Sequence, residues 1–80
     1  MQIEILLFGI LRDVVGENRL DEQVVSEITL ETLRQNLLVR YPNLQQYKNY
    51  SIAVNETYAE NDYTIRDNDI VALIPPVSGG

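Results

Sequence analysis

Apolar and polar positions alternate with a period of two at the start of the chain, a helical period follows, and a nearly continuous apolar run lies near the other end. Residues 2–8 place Ile3, Ile5 and Leu7 on one face and Glu4, Leu6 and Phe8 on the other, which predicts a strand. Gly9 lets the chain leave it. Residues 10–15 have the spacing of a short helix, with Gly16 placed as its left-handed terminator. Residues 21–25 are expected to form a second strand, antiparallel to the first. A longer helix then starts at Thr29, a good N-cap, with Glu31 in its first turn and Leu30, Leu33 and Leu37 as an apolar stripe. Ile28 and Leu33 sit at the two positions of a hydrophobic staple. Pro42 disfavours helical geometry in the residue before it, so this helix ends near Arg40 or Tyr41. Tyr41, Leu44 and Tyr47 are expected to close the bottom of the core.

The rest of the chain reads as strands and turns. Residues 51–54 predict a third strand, followed by a turn at Asn55 and Glu56; residues 58–63 carry no clear pattern. Asp67, Asn68 and Asp69 suit a tight turn, with Asn68 in the left-handed conformation. The run at residues 69–74 is nearly continuously apolar and predicts a buried final strand. This order suits an α+β, β-grasp fold: a mixed four- to five-stranded sheet, one long helix across one face and a short helix after strand 1. The first and last strands are expected to lie parallel as central neighbours. No repeat or linker interrupts residues 1–80, read as a single domain with residues 77–80 as a protruding tail.

Composition narrows the chemistry. With no His and no Cys, the chain lacks the usual nucleophiles, redox centres and soft metal ligands. Twelve acids against six bases give a formal charge of −6, which argues against nucleic acid and anionic membranes and suits either a basic partner surface or simply the solubility of a small protein. No apolar stretch has the length of a membrane span, and the first residues lack the features of a signal peptide, so a cytoplasmic location is expected. Asp62, Asp67 and Asp69 lack the spacing of a calcium loop and read as solvated turn residues. No metal site is expected.

The most informative segment is Pro75, Pro76, Val77, Ser78, Gly79 and Gly80. Small residues are tolerated at loose termini, so a Gly-Gly ending alone says little. Here, however, it follows a buried strand stopped by two prolines, which lack the N–H that a ladder needs and fix their own φ. Four residues beyond that mount reach about 13–14 Å when extended. Gly79 and Gly80 have no Cβ and can pass a narrow slot. The arrangement suits delivery of the Gly80 carboxylate into another protein's active site.

The final strand with Pro75, Pro76, Val77, Ser78, Gly79 and Gly80 resembles the ending of the small subunits of molybdopterin synthase, the sulfur carriers of molybdenum cofactor biosynthesis. The resemblance spans the chain. It also takes in Leu7, Phe8 and Gly9 leading into Leu11, Arg12, Asp13, Val14, Val15 and Gly16, the helix start from Thr29 to Arg34, and the pair Val54 and Asn55. The chain departs from the family at Leu73 and Ile74, where aromatic residues are frequent, and at Asn68, where glycine is usual.

That resemblance implies a chemistry. The Gly80 carboxylate would be adenylated by a ubiquitin-activating-type enzyme using ATP and Mg, with neither bound by this chain. A sulfur donor protein would then convert it to a thiocarboxylate, and the tail of Val77, Ser78, Gly79 and Gly80 would enter the large catalytic subunit of the synthase. There the sulfur passes to cyclic pyranopterin monophosphate; a heterotetramer is the family's assembly. The chain is thus expected to donate sulfur and not to catalyse alone. Docking is expected through Phe8, Tyr58, Ile74, Pro75 and Pro76, with Tyr58 placed there by the resemblance. Phe8 and Ile74 have a second reading, as residues that close the core. Two alternative functions remain: the sulfur carrier of thiamine biosynthesis, and a ubiquitin-like modifier joined through Gly80 to lysines of other proteins. An interaction module with an inert tail is a further possibility.

Overall fold

The alternation at the start of the chain becomes strand β1, Gln2–Leu7, in a computed structural model that describes residues 1–24 and 26–76. Phe8 does not continue the strand as expected. It caps helix α1, Gly9–Val15, in an extended conformation, because the chain must turn at Gly9. Gly16 ends α1 as predicted, left-handed at φ 86°, with its N–H donating to the Arg12 carbonyl.

Strand β2, Arg19–Gln23, pairs antiparallel with β1 but starts two residues before the predicted 21–25. Its sequence is almost wholly polar and carries little alternation; the strand is bounded at Gln23, although Val24 still donates its N–H to the Met1 carbonyl and accepts from the Met1 amino group, both at 2.8 Å. Helix α2, Leu30–Arg40, begins at Thr29, whose side chain accepts from the Thr32 N–H. A 3-10 helix that the pattern did not suggest, Pro42–Tyr47, follows with Pro42 in its first turn. Strand β3, Ser51–Val54, matches its expected bounds. It turns through Asn55 and Glu56, both at positive φ (50° and 72°), into the two-residue strand β4, Thr57–Tyr58. Positive φ at both central residues is the geometry of a tight hairpin turn. Strand β5, Ile70–Ile74, begins after a turn in which Asn68 is left-handed at φ 69°.

The sheet order is β2-β1-β5-β3-β4. β1 and β5 are parallel central neighbours and the remaining pairs are antiparallel, so the sheet is mixed and five-stranded, the β-grasp arrangement. Ile3, Ile5 and Leu7 of β1, Val71 and Leu73 of β5, and Ile52 and Val54 of β3 are buried with Leu30, Leu33 and Leu37 of α2 in one core. Leu11, Leu44, Tyr50 and Ile65 complete it, with Tyr41 and Tyr47 half-buried at its edge. Each such aliphatic side chain contributes about 1.5–3 kcal/mol by leaving water. The Arg40 guanidinium pairs with Glu22 and ties the end of α2 to β2.

Asp69 departs from the solvated-turn reading. It is only 5% exposed. Its carboxylate accepts from Asn55 Nδ2, the Tyr63 hydroxyl and the Arg66 N–H at 2.8–2.9 Å. Asp62 and Asp67 are exposed, and Asp67 Oδ1 accepts from the Gln2 N–H.

Tyr50 is buried, with the Arg34 guanidinium 4.6 Å from its ring centroid. Burial raises its pKa above the ordinary 10.0, and the Arg34 charge offsets this in part. A phenol that holds its proton more tightly when folded stabilises the fold below its unfolded pKa and loses that contribution as pH rises through the folded one. Stability is therefore expected to fall above about pH 10, with a shallower fall in Tyr50→Phe. Urea unfolding at about pH 9 and about pH 11 measures this, and equal slopes in both proteins would refute it.

Candidate functional site

The core occupies one face of the sheet, and the strand register shows what the other face carries. Leu6 pairs with Arg19 and with Ala72, Ala72 with Ala53, and Ala53 with Tyr58, which makes one row across all five strands. Two alanines at its centre keep the row shallow. Along β5 the same face carries Ile70, Ala72 and Ile74, of which Ile70 is 42% exposed. At its charged margin Arg19 pairs with Glu4 at 2.7 Å and with Asp21 at 3.3 Å.

Phe8 lies one residue past the Leu7–Leu73 pair, level with Ile74, and is 48% exposed. The reading in which it closes the core is not met: the core at that corner is filled by Leu7, Leu11 and Leu73. Tyr58 is 69% exposed at the other end of the row, on the edge strand. Ile74 and Pro75 are half-buried and Pro76 is exposed. Phe8, Ile74, Pro75 and Pro76 therefore form one corner, and the Leu6–Ala72–Ala53 row joins it to Tyr58. The expected tail of Val77, Ser78, Gly79 and Gly80 lies outside the described residues.

Leu6, Ile70 and Ala72 belong to this surface by simple alternation along their strands. Ala53, only 6% exposed, follows from the same alternation between Ile52 and Val54, but its place beside Ala72 depends on the β3–β5 register between distant segments. Arg12 approaches the carboxylate of Asp13 at 4.0 Å, with both side chains exposed.

Among the described residues no group of three acidic, His or Cys side chains is placed to hold a metal. A depression of about 540 Å³ is lined by Val24, Ile28, Leu33, Leu37, Val39 and Arg40 among others, and shares no residue with the Pro75 corner. The surface beside the proline mount is apolar and shallow, suited to another protein's surface rather than to a small substrate.

Comparison with known proteins places this geometry. The model of the ThiS family matches residues 5–80. A molybdopterin synthase sulfur carrier subunit from Dictyostelium discoideum is 36% identical, covering 99% of this chain and 96% of the relative. Two solved structures are similar over 100% of each chain at 26% identity. One is SAMP1 from Haloferax volcanii, with a TM-score of 0.84. The other is the complex of subunits 1 and 2 of molybdopterin-converting factor from Helicobacter pylori, with a TM-score of 0.70. Matched along almost its whole length in sequence and fold, the chain belongs to the ThiS family, among the molybdopterin synthase sulfur carrier subunits.

Proposed function

We propose that this chain carries sulfur for molybdopterin synthase on the carboxylate of Gly80. That carboxylate attacks the α-phosphorus of ATP, supplied with Mg by an adenylating partner, and pyrophosphate leaves. Hydrosulfide supplied by a sulfur donor then attacks the acyl carbon; a C–S bond forms, the C–O bond to AMP breaks, and loss of the S–H proton leaves a thiocarboxylate. The large subunit of the synthase receives the tail and passes the sulfur to cyclic pyranopterin monophosphate, with water restoring the carboxylate. General acid–base groups and oxyanion stabilisation come from the partners, in keeping with a chain that has neither His nor Cys.

The observation that carries this reading is the full-length relationship to a named sulfur carrier subunit in a chain whose central strand ends in two prolines before Gly79 and Gly80. Intact-mass spectrometry after incubation with the cognate adenylating enzyme, ATP and a sulfur donor tests it. A mass gain equal to sulfur replacing oxygen, localised to Gly80, is the expected result. No gain with an enzyme proved active would refute it.

The similarity to SAMP1, a small archaeal modifier protein, keeps a second reading in view, in which Gly80 is joined to lysines of other proteins. Isopeptide-linked conjugates in place of a thiocarboxylate would favour it. The thiamine-pathway carrier is the weaker alternative, because the Dictyostelium discoideum relative is a molybdopterin synthase subunit.

The apolar face supplies the docking surface in this reading. Phe8→Asp and Tyr58→Asp each place a charge where an apolar partner surface would close. Each is expected to weaken binding to the large subunit by at least about 30-fold, the effect of a typical interface hot spot. Both side chains are exposed, so the melting temperature should not change. Calorimetric titration against the large subunit checks the prediction, and wild-type affinity in both variants would move docking elsewhere.

A further inference from the structure

We propose that Gly9 is a positioning residue for the C-terminal tail: its bare Cα forms the seat of Pro75, and that contact sets the direction in which the chain leaves β5. The proposal rests on the sulfur-carrier reading and deepens it, from which group reacts to how the body aims that group.

Two demands meet at this glycine. Its φ is +54°, a conformation that side chains disfavour. Independently, a Cβ added there would stand 3.1 Å from Pro75 Cγ, tighter than nine in ten real Cβ contacts. Gly16 provides the contrast. It too has a positive φ, +86°, but a Cβ there would meet nothing within 4 Å, so only the helix cap requires a glycine at that position. Gly9 alone of these two is also a packing surface.

The neighbour that would have to yield is a poor one to push. Pro75 has no side-chain torsion that could swing its ring aside; beyond a change of pucker, moving Cγ moves the backbone. On its inner side the backbone is held, because Ile74 is paired with Ser51 and Leu73 with both Leu7 and Ile52. A displacement at Pro75 therefore passes outward to Pro76. Misplacement of a reacting group by about 1 Å can cost about 100-fold in rate.

The test uses Gly9→Ala and Gly9→Asn. Asparagine carries the same Cβ but tolerates positive φ, so it separates the contact from backbone strain and remains informative if the alanine variant fails to fold. With the adenylating enzyme and ATP, Gly9→Asn is expected to lower kcat about tenfold while the KM for the carrier stays unchanged. Docking is intact in that outcome and delivery is not. Pro75→Ala removes Cγ, so Gly9→Asn should have no further effect in that background. The proposal is overturned if Gly9→Asn keeps the wild-type kcat, if its loss is the same with Pro75→Ala, or if only KM changes. An NMR cross-relaxation signal between the Gly9 α-protons and the Pro75 ring checks the contact without any enzyme, and its absence also overturns the proposal. A wild-type chain that shows the signal yet is never adenylated overturns the sulfur-carrier reading, and the aiming role with it.

Discussion

Deleting Gly80 alone is expected to abolish sulfur loading while leaving the folded body unchanged. The deletion does not remove the reactive group; it moves a carboxylate of the same chemistry onto Gly79. What changes is reach. One extended residue spans about 3.3–3.6 Å, so the carboxylate falls short of the adenylating site by roughly that distance. A displacement of about 1 Å can already cost about 100-fold, so loading should fall by at least that factor and pass below detection. Pyrophosphate exchange with the adenylating enzyme measures the first step, and the urea midpoint provides the control for folding. Gly79→Ala tests passage rather than reach, by adding a Cβ where a narrow slot would have to admit it. If the shortened chain is loaded at the wild-type rate, the tail does not work as a measured probe and the inert-tail reading gains.

The charge of the chain bears on the same encounter. With a formal charge of −6, steering toward a basic partner surface should make association faster at low ionic strength. The apolar row from Leu6 to Tyr58 has no such dependence. Steering and docking can thus be distinguished by salt: the first changes the association rate, the second the lifetime of the complex.

Much of this was legible from local pattern because local physics decides it. The Thr29 cap, the Gly16 terminator, the stop before Pro42, the Asn55–Glu56 turn and the left-handed Asn68 each follow from the conformational preferences of the residue concerned. The parallel pairing of β1 with β5 at the centre of the sheet was expected from their nearly continuous apolar character. β2 was misplaced because five mostly polar residues on an edge strand carry almost no periodic signal. The 3-10 helix was missed for a related reason: of its residues only Leu44 is buried, and one residue makes no pattern. At the candidate site, alternation placed Phe8 and Ile74 on one face but could not say whether that face was covered. Coverage is a tertiary fact, set by the side on which α2 packs. The role of Gly9 was hidden as well, since its contact with Pro75 joins residues far apart in sequence.

Asp69 shows most clearly what local reading cannot supply, and it gives the largest expected effect on stability. Three aspartates near a turn look alike in sequence, yet only Asp69 is buried, and its three donors are all neutral. They come from the Asn55 turn, from Tyr63 and from the Arg66 backbone, so one carboxylate joins three segments where β5 begins. Desolvation, then the hydrogen bond to Asp69, raises the Tyr63 pKa, which keeps its hydroxyl a donor. Asp69→Ala removes the shared acceptor and is expected to cost about 3 kcal/mol, since hydrogen bonds to a charged group contribute about 1.5–3 kcal/mol each and exposed partners recover part of the loss in water. Against a total of about 5–15 kcal/mol, that is a large share. Asp69→Asn should cost less, about 1–2 kcal/mol, but not zero. Its amide nitrogen must face either the Tyr63 and Arg66 donors or Asn55 Nδ2. Asn55 cannot turn its oxygen inward to help, because that oxygen accepts from the Ile70 N–H at 3.0 Å. Urea denaturation of the three proteins should rank wild type above Asp69→Asn above Asp69→Ala, with equal m-values. An alanine variant as stable as the wild type would mean that water replaces the network at no cost, and that the start of β5 is held by its ladder alone.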